Sequence, residues 1–135
     1  MYRLFAIGII LLSIGAVLEA NDTDRTVQEE VVEIQGMRDF NSLSELKIFL
    51  LQDPTDWENY KESTNDCDDF ARTLVSRAAD KGFIISLQLV SPEQYHEYFG
   101  KTLSGNHMIC SAIVRNKIYF IEPQTDEVEF VSYMD

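Results

Sequence analysis

The chain has 135 residues, close to a single domain's length, and 23 acidic against 11 basic side chains give it a net charge of −12. So acidic a chain lacks the Lys/Arg clusters that phosphate binding requires, which excludes nucleic acid as a partner and fits an anionic lipid surface poorly. Hydrophobic residues at 45% argue against general disorder, the few Gly and Pro against low complexity, and two cysteines cannot build a disulfide-dense scaffold.

Residues 4–18, LFAIGIILLSIGAVL, carry no charge; Arg3 precedes them and Glu19, Asp22 and Asp24 follow. Fifteen residues of helix span about 22 Å, short of the ~30 Å hydrocarbon core. A basic start, a short apolar run and small residues near its end describe a secretory signal, with Ala20 as the residue before cleavage. An uncleaved N-terminal anchor is the alternative, and it is the only membrane attachment expected. Both place residues 21–135 outside the cytoplasm, secreted or periplasmic. With no Cys near position 20, a bacterial lipoprotein anchor is excluded. The expected organisation is 1–20 signal peptide or anchor, 21–38 polar lead-in with VVEI (31–34) as a short strand, and 39–135 folded domain.

Within that domain, Ser42 with Glu45 three residues on reads as a capping box, and Leu43, Leu46, Phe49 and Leu50 form a helical stripe ended by Asp53-Pro54. The stretch TDWENYKESTND (55–66) reads as a shaped surface loop. The next helix runs from about Cys67 to Lys81, buries Phe70, Leu74, Val75 and Ala78, and stops at Gly82. FIISLQLV (83–90) is β-rich, Ser91-Pro92 starts a short helix over PEQYHEYF, and GKTLSGN (100–106) is a loop. HMICSAIV and KIYFIE then flank an Arg115-Asn116 turn, and VEFVSY follows as a third strand. Helices first and antiparallel strands after predict an α+β fold.

Cys67 opens its helix, where free N–H groups and the helix dipole favour a thiolate. A thiol nucleophile needs a base, and the base needs an orienting group. If Arg115-Asn116 is a two-residue turn, Val114 pairs with Lys117. His107 then falls opposite Gln124 and Ile109 opposite Glu122, which makes His107 and Glu122 diagonal neighbours on one face, roughly 7–8 Å apart at the backbone. This yields a Cys on a helix, a His on a strand and an acid on the next strand. Asp66, Asp68 and Asp69 crowd the thiol, and their charge opposes the dipole by raising the thiol pKa. A hard cation with oxygen ligands would relieve the crowding, with Asp68 and Asp69 as ligands and Asp66 beside them; capping of the helix is the alternative use of these acids.

DCDDFA (66–71), Asn106-His107 and IEPQTDE (121–127) resemble the cysteine-protease domain joined C-terminally to ricin-type fungal agglutinins, and more broadly the transglutaminase-like branch of the papain fold. The resemblance covers roughly residues 40–130. It implies a papain-like core with the nucleophile helix packed on an antiparallel sheet, and an exported cysteine endopeptidase acting on a peptide or protein substrate. Cys67 would be nucleophile, His107 base and Glu122 orienter, with Gln124 shaping the cleft and joining the oxyanion site. It further implies dependence on calcium or a similar divalent ion such as manganese. The chain has His-Met-Ile where transglutaminases carry His-Ala-Trp, which disfavours cross-linking. Two rival functions remain: a non-catalytic protein-binding or immunity-type module on the same fold, and a transglutaminase-like acyltransferase.

Cys110 alternates with Ile109 and His107 along its strand and is expected as a buried free thiol, a disulfide to Cys67 being the alternative. His96, among Glu93, Tyr95, Glu97 and Tyr98, reads as a surface histidine. Trp57 and Tyr60 lie shortly before Cys67, either as loop anchors or as lining of the substrate cleft.

Overall fold

The computed structural model describes residues 36–135. The expected signal segment, the VVEI strand and nearly all of the polar lead-in lie outside the described residues. Arg38, counted in that lead-in, already forms a parallel bridge with Phe83, and Phe40 forms another with Val114.

Helix α1 (Leu43–Gln52) starts at Ser42, whose hydroxyl accepts from the Glu45 N–H. The capping box departs from its usual form: the Glu45 carboxylate accepts from the Asn41 N–H and pairs with Arg38. That pairing holds the Glu45 carboxyl down at about 2, the Arg38 hydrogen bond being the largest cause and the Asn41 N–H the next. After Asp53, the expected loop contains a 3₁₀ turn over Thr55–Trp57 and a Lys61–Asn65 bridge. Helix α2 (Cys67–Asp80) carries a full capping box. Asp66 accepts from the Asp68 N–H, and the Asp69 side chain accepts from the Asp66 N–H. Gly82 follows with φ +80°, the left-handed conformation that ends helices without the steric cost a Cβ brings.

Strand β1 (Ser86–Val90) is shorter than the β-rich run suggested, and helix α3 (Pro92–Phe99) spans the predicted residues. Strands β2 (His107–Val114), β3 (Lys117–Glu122) and β4 (Glu127–Tyr133) complete an antiparallel sheet in the order β1-β2-β3-β4. The predicted register holds, with Val114 opposite Lys117 and Cys110 opposite Ile121. The described unit is therefore α+β.

Alternation along β2 and β3 divides the buried side chains between two cores. Cys110, Ala112, Val114, Tyr119 and Ile121 face α1 and α2, packing on Leu46, Phe49, Leu50, Ala71, Leu74 and Ala78. Ile109 and Phe120 face the other way, onto Val90 and Tyr95. The strands are thus buried on both faces by helices, which explains why β2 and β3 read as near-continuous apolar runs. Among the described residues, no helix is long and apolar enough to cross a membrane.

Leu74 is fully buried between the helices and the sheet, whereas Trp57 is 71% exposed. Leu74→Ala should cost about 2–5 kcal/mol through lost burial and the cavity left behind. Trp57→Ala should stay within about 0.5 kcal/mol. Urea unfolding midpoints of the two variants check the contrast.

Candidate functional site

The site lies at the end of the sheet where β2 begins and β3 ends. Glu122, the last residue of β3, is buried with 1% exposure. A buried carboxylate is costly unless donors surround it, and here three do. The Tyr95 hydroxyl donates to Oε2 at 2.7 Å, His107 Nε2 lies 2.8 Å from the same oxygen, and the Gln124 N–H donates to Oε1 at 3.2 Å. Tyr95 also sets its ring edge-on to His107, with centroids 5.0 Å apart. Because an ionised carboxylate only accepts, the proton of a neutral His107 sits on Nε2, and Nδ1 keeps its lone pair. The diagonal His107–Glu122 neighbourhood expected from the hairpin register is thus present as a direct contact.

Cys67 stands at the first turn of α2 and shares an open cleft of about 430 Å³ with His107, Gln124, Tyr60 and the segment Leu103–Asn106. Burial pushes its thiol above the ordinary value; the Met108 N–H pulls it back, and the charges of Asp68 and Asp66 push it further up. The helix-terminal position therefore does not yield a lowered thiol, and the opposing effect of the acidic neighbours is realised. The thiol lies 3.6 Å from Asp68 Oδ1. Cys110 is free and buried, its thiol donates to the Ala71 carbonyl, and burial pushes it up to about 12. Both cysteines are free, so the expected alternation to opposite faces prevails over a disulfide.

The acids around Cys67 serve the helix. Asp66 and Asp69 complete the capping box, and Asp68 lies 4.0 Å from Arg72 one turn on. The group whose ligand atoms converge within 4.8 Å is Asp66, Cys67 and Asp68. Asp69 is held in the cap, and a sulfur with two carboxylates is not the all-oxygen set that calcium prefers.

Trp57 is exposed on the 3₁₀ turn and does not line the cleft, whereas Tyr60 does. His96 is exposed on α3, as expected of a surface histidine. Two features escaped the sequence reading. Tyr95 was seen only as a neighbour of His96, although Tyr95, Tyr98 and Phe99 recur at the spacing of one buried helical face. Residues Leu103–Asn106, read as a bare loop, form one wall of the cleft.

No protein-family model matches the chain, and no curated protein does either. Solved structures share its fold. One, titled "PSL1a-E64 complex", is 17% identical with a TM-score of 0.53 over 70% of this chain and 38% of its own. Another is a Polyporus squamosus lectin bound to the human-type influenza-binding epitope Neu5Aca2-6Galb1-4GlcNAc, 17% identical with a TM-score of 0.51 over 67% of this chain and 36% of its own. The chain thus spans little more than a third of these proteins. The second of these titles names a lectin, where the sequence motifs pointed to a papain-like cysteine protease domain, and that expectation is corrected on this finding. The exported cysteine endopeptidase, its classification as a thiol-protease hydrolase and its peptide substrate are corrected with it. Neither the immunity-type module nor the acyltransferase gains support from these structures.

Iodoacetamide should alkylate Cys67 in the folded protein and spare Cys110. With its thiol raised above the ordinary value, the Cys67 rate should still climb about tenfold per pH unit between pH 7 and 9, because only the thiolate reacts. Peptide mass mapping over a pH series reads both expectations.

Proposed function

We propose that the chain is a ligand-binding module that seats a carbohydrate in the cleft between the N-terminus of α2 and the segment before β2. The observation that carries this reading is the lining of that cleft. Ser104, Asn106 and Gln124 offer hydroxyl and amide groups, the 59%-exposed Tyr60 offers an aromatic face, and His107 is anchored by buried Glu122. Fixed polar groups beside an aromatic surface suit a sugar's mixture of hydroxyls and apolar ring faces. The lectin named among the structures of similar fold supports the ligand class. Since the chain spans only 36% of that lectin, its sugar site is not transferred by position, and the cleft rests on its own lining.

Titration of ¹⁵N-labelled protein with Neu5Aca2-6Galb1-4GlcNAc and with its asialo form should shift the amides of Ser104, Gly105, Asn106 and Gln124. Gln124→Ala should weaken the response several-fold. Absence of shifts with both glycans at millimolar concentration removes the carbohydrate reading.

A second reading of the same cleft is favoured by the 2.8 Å contact between His107 and Glu122. In it Cys67, His107 and Glu122 act as one unit: Glu122 orients His107, Nδ1 of His107 accepts the Cys67 proton, and the Gln124 amide faces charge developing on a bound ligand. A helix bearing Cys67 packed on an antiparallel sheet that carries His107 and Glu122 is the papain-like arrangement of such groups. Calcium or manganese enters this reading only through Asp66 and Asp68, Asp69 being held in the cap. A chelator that leaves the melting temperature unchanged removes the metal from it. Incubation with E64, the compound named in the first title, should place an adduct on Cys67 that His107→Ala suppresses. An unmodified Cys67 removes the unit's chemical role and leaves glycan binding untouched. The apolar run 4–18 behind Arg3 supports export to an extracytoplasmic compartment, which N-terminal sequencing of the secreted product tests.

A further inference from the structure

Strands β1 and β4 are the two edges of the sheet, and they are built differently. β4 carries Glu127 and Glu129, and its register with β3 shifts between Ile118 and Tyr119; charge and a bulge both discourage further pairing. β1 pairs with β2 in unbroken register, and the run 83–90, FIISLQLV, holds no charge and no proline in a chain of net charge −12. The direction of its backbone groups follows from its neighbour. Val114 and Lys117 flank the two-residue turn and pair with each other, which directs the even residues of β2 to β3. The odd residues face the other side: the Phe40 N–H donates to the Ile113 carbonyl, and the Phe40 carbonyl accepts from the Arg115 N–H. Ser86, Gln88 and Val90, opposite Ser111, Ile109 and His107, therefore bond to β2, while the N–H and C=O groups of Leu87 and Leu89 point out of the sheet. Among the described residues no further strand meets them, and the Gln88 side-chain amide donates to the Leu89 carbonyl at 3.2 Å in a strand's stead. The side chains of Leu87 and Leu89 share the face of Cys110 and Met108 and are 43% and 55% exposed.

We propose that β1 pairs antiparallel with β1 of a second copy of this chain, about a two-fold axis at Gln88, so that two sheets join into one. The occupant is a second copy because the edge is complementary to itself. The axis sets Leu87 opposite the partner's Leu89, and Leu89 opposite the partner's Leu87, so outward backbone groups meet outward groups and bond in both pairs. A slip of one residue would set outward groups against inward ones and lose every bond. The four leucines then cover one another on the α1/α2 face of the sheet. Gln88 meets the partner's Gln88 on the opposite face, where the two amides are free to bond each other once the Leu89 carbonyl has a strand. A two-fold contact brings like residues together near its axis, which a neutral edge permits and a charged one opposes. Over the rest of the surface each copy carries a net −12, a repulsion that salt screens. Five residues a side make a small seam beside the ~1,000 Å² expected of a stable interface, so the dimer is weak and forms with concentration. His107 lies opposite Val90, and the axis reverses β1 in the partner, so the two clefts sit at opposite ends of the joined sheet.

Sedimentation velocity of the full chain over a concentration series tests the pairing. The average mass should climb from one copy towards two, and association should strengthen several-fold between about 20 mM and about 500 mM salt as repulsion is screened. Leu89→Lys places a charge on the seam and should weaken association about tenfold or more. Leu89→Pro removes an outward N–H, keeps the bonds of Gln88 and Val90 to β2, and should weaken it likewise. Phe130→Lys, on the β4 edge, should not weaken it. Melting temperatures in dilute solution confirm that each variant is folded. Amide exchange at Leu87 and Leu89 should slow as concentration rises, which a contact elsewhere on the surface would not produce. A chain that stays monomeric at millimolar concentration in high salt overturns the proposal and leaves the edge to an extended segment of another protein. A dimer that neither Leu89 substitution weakens also overturns it, because the contact then lies elsewhere.

Discussion

Burial of the Glu122 carboxylate is the constraint that organises this end of the molecule. A charge with 1% exposure persists only where donors converge on it, and the three that do come from different parts of the chain. Tyr95 reaches it from α3, His107 from the start of β2, and the Gln124 N–H from the following turn. One oxygen serves both Tyr95 and His107, so helix α3 and strand β2 are located relative to the same atom. Removing any donor would leave a buried charge under-satisfied, which costs far more than the lost hydrogen bond would in water. Pre-organisation of the cleft is in that sense a by-product of satisfying one acid.

The thiol beside this network shows how one sequence feature serves two competing demands. Asp66 and Asp69 are good residues for the start of a helix because they satisfy its free N–H groups. Their neighbour Cys67 sits where the helix dipole would lower a thiol, yet burial and the charges of Asp68 and Asp66 raise it. Burial, with the two charges added to it, prevails because the dipole acts weakly over the first turn. A reading based on position alone therefore overstates the thiol's readiness.

Much of the fold was legible because its signals were local. Ser42, Ser91-Pro92 and Gly82 mark helix ends by capping chemistry, and the Arg115-Asn116 turn fixes the β2–β3 register, from which the His107–Glu122 proximity follows. Alternation also placed Cys110 correctly in the core. The rest depended on tertiary context. Sequence alone did not show that α3 would deliver the Tyr95 hydroxyl to Glu122, or that Leu103–Asn106 would line a cleft together with Cys67. The Asp69 carboxylate, expected as a metal ligand with helix capping as its alternative use, accepts from the Asp66 backbone N–H. Function was the least legible layer. Short words such as DCDDFA and EPQ suggested a protease, while one solved structure of similar fold carries the name of a lectin. At 17% identity over about a third of those proteins, shared architecture states how the chain is packed, and function has to be argued from the cleft.

The β3–β4 turn sets two solutions to acid burial four residues apart. At Glu122 the chain surrounds a carboxylate with partners from three elements, and the carboxylate can hold an imidazole in one orientation. At Asp126 the neighbouring groups are themselves acids, and the donors nearby are spent on Asp53, Glu58 and Glu127. Burial, then the charges of Asp56 and Asp53, push the Asp126 carboxyl up to about 7. Gln124 lies between the two acids, with its backbone N–H bound to Glu122 and the residue lining the cleft. The cleft wall is thereby anchored by Glu122.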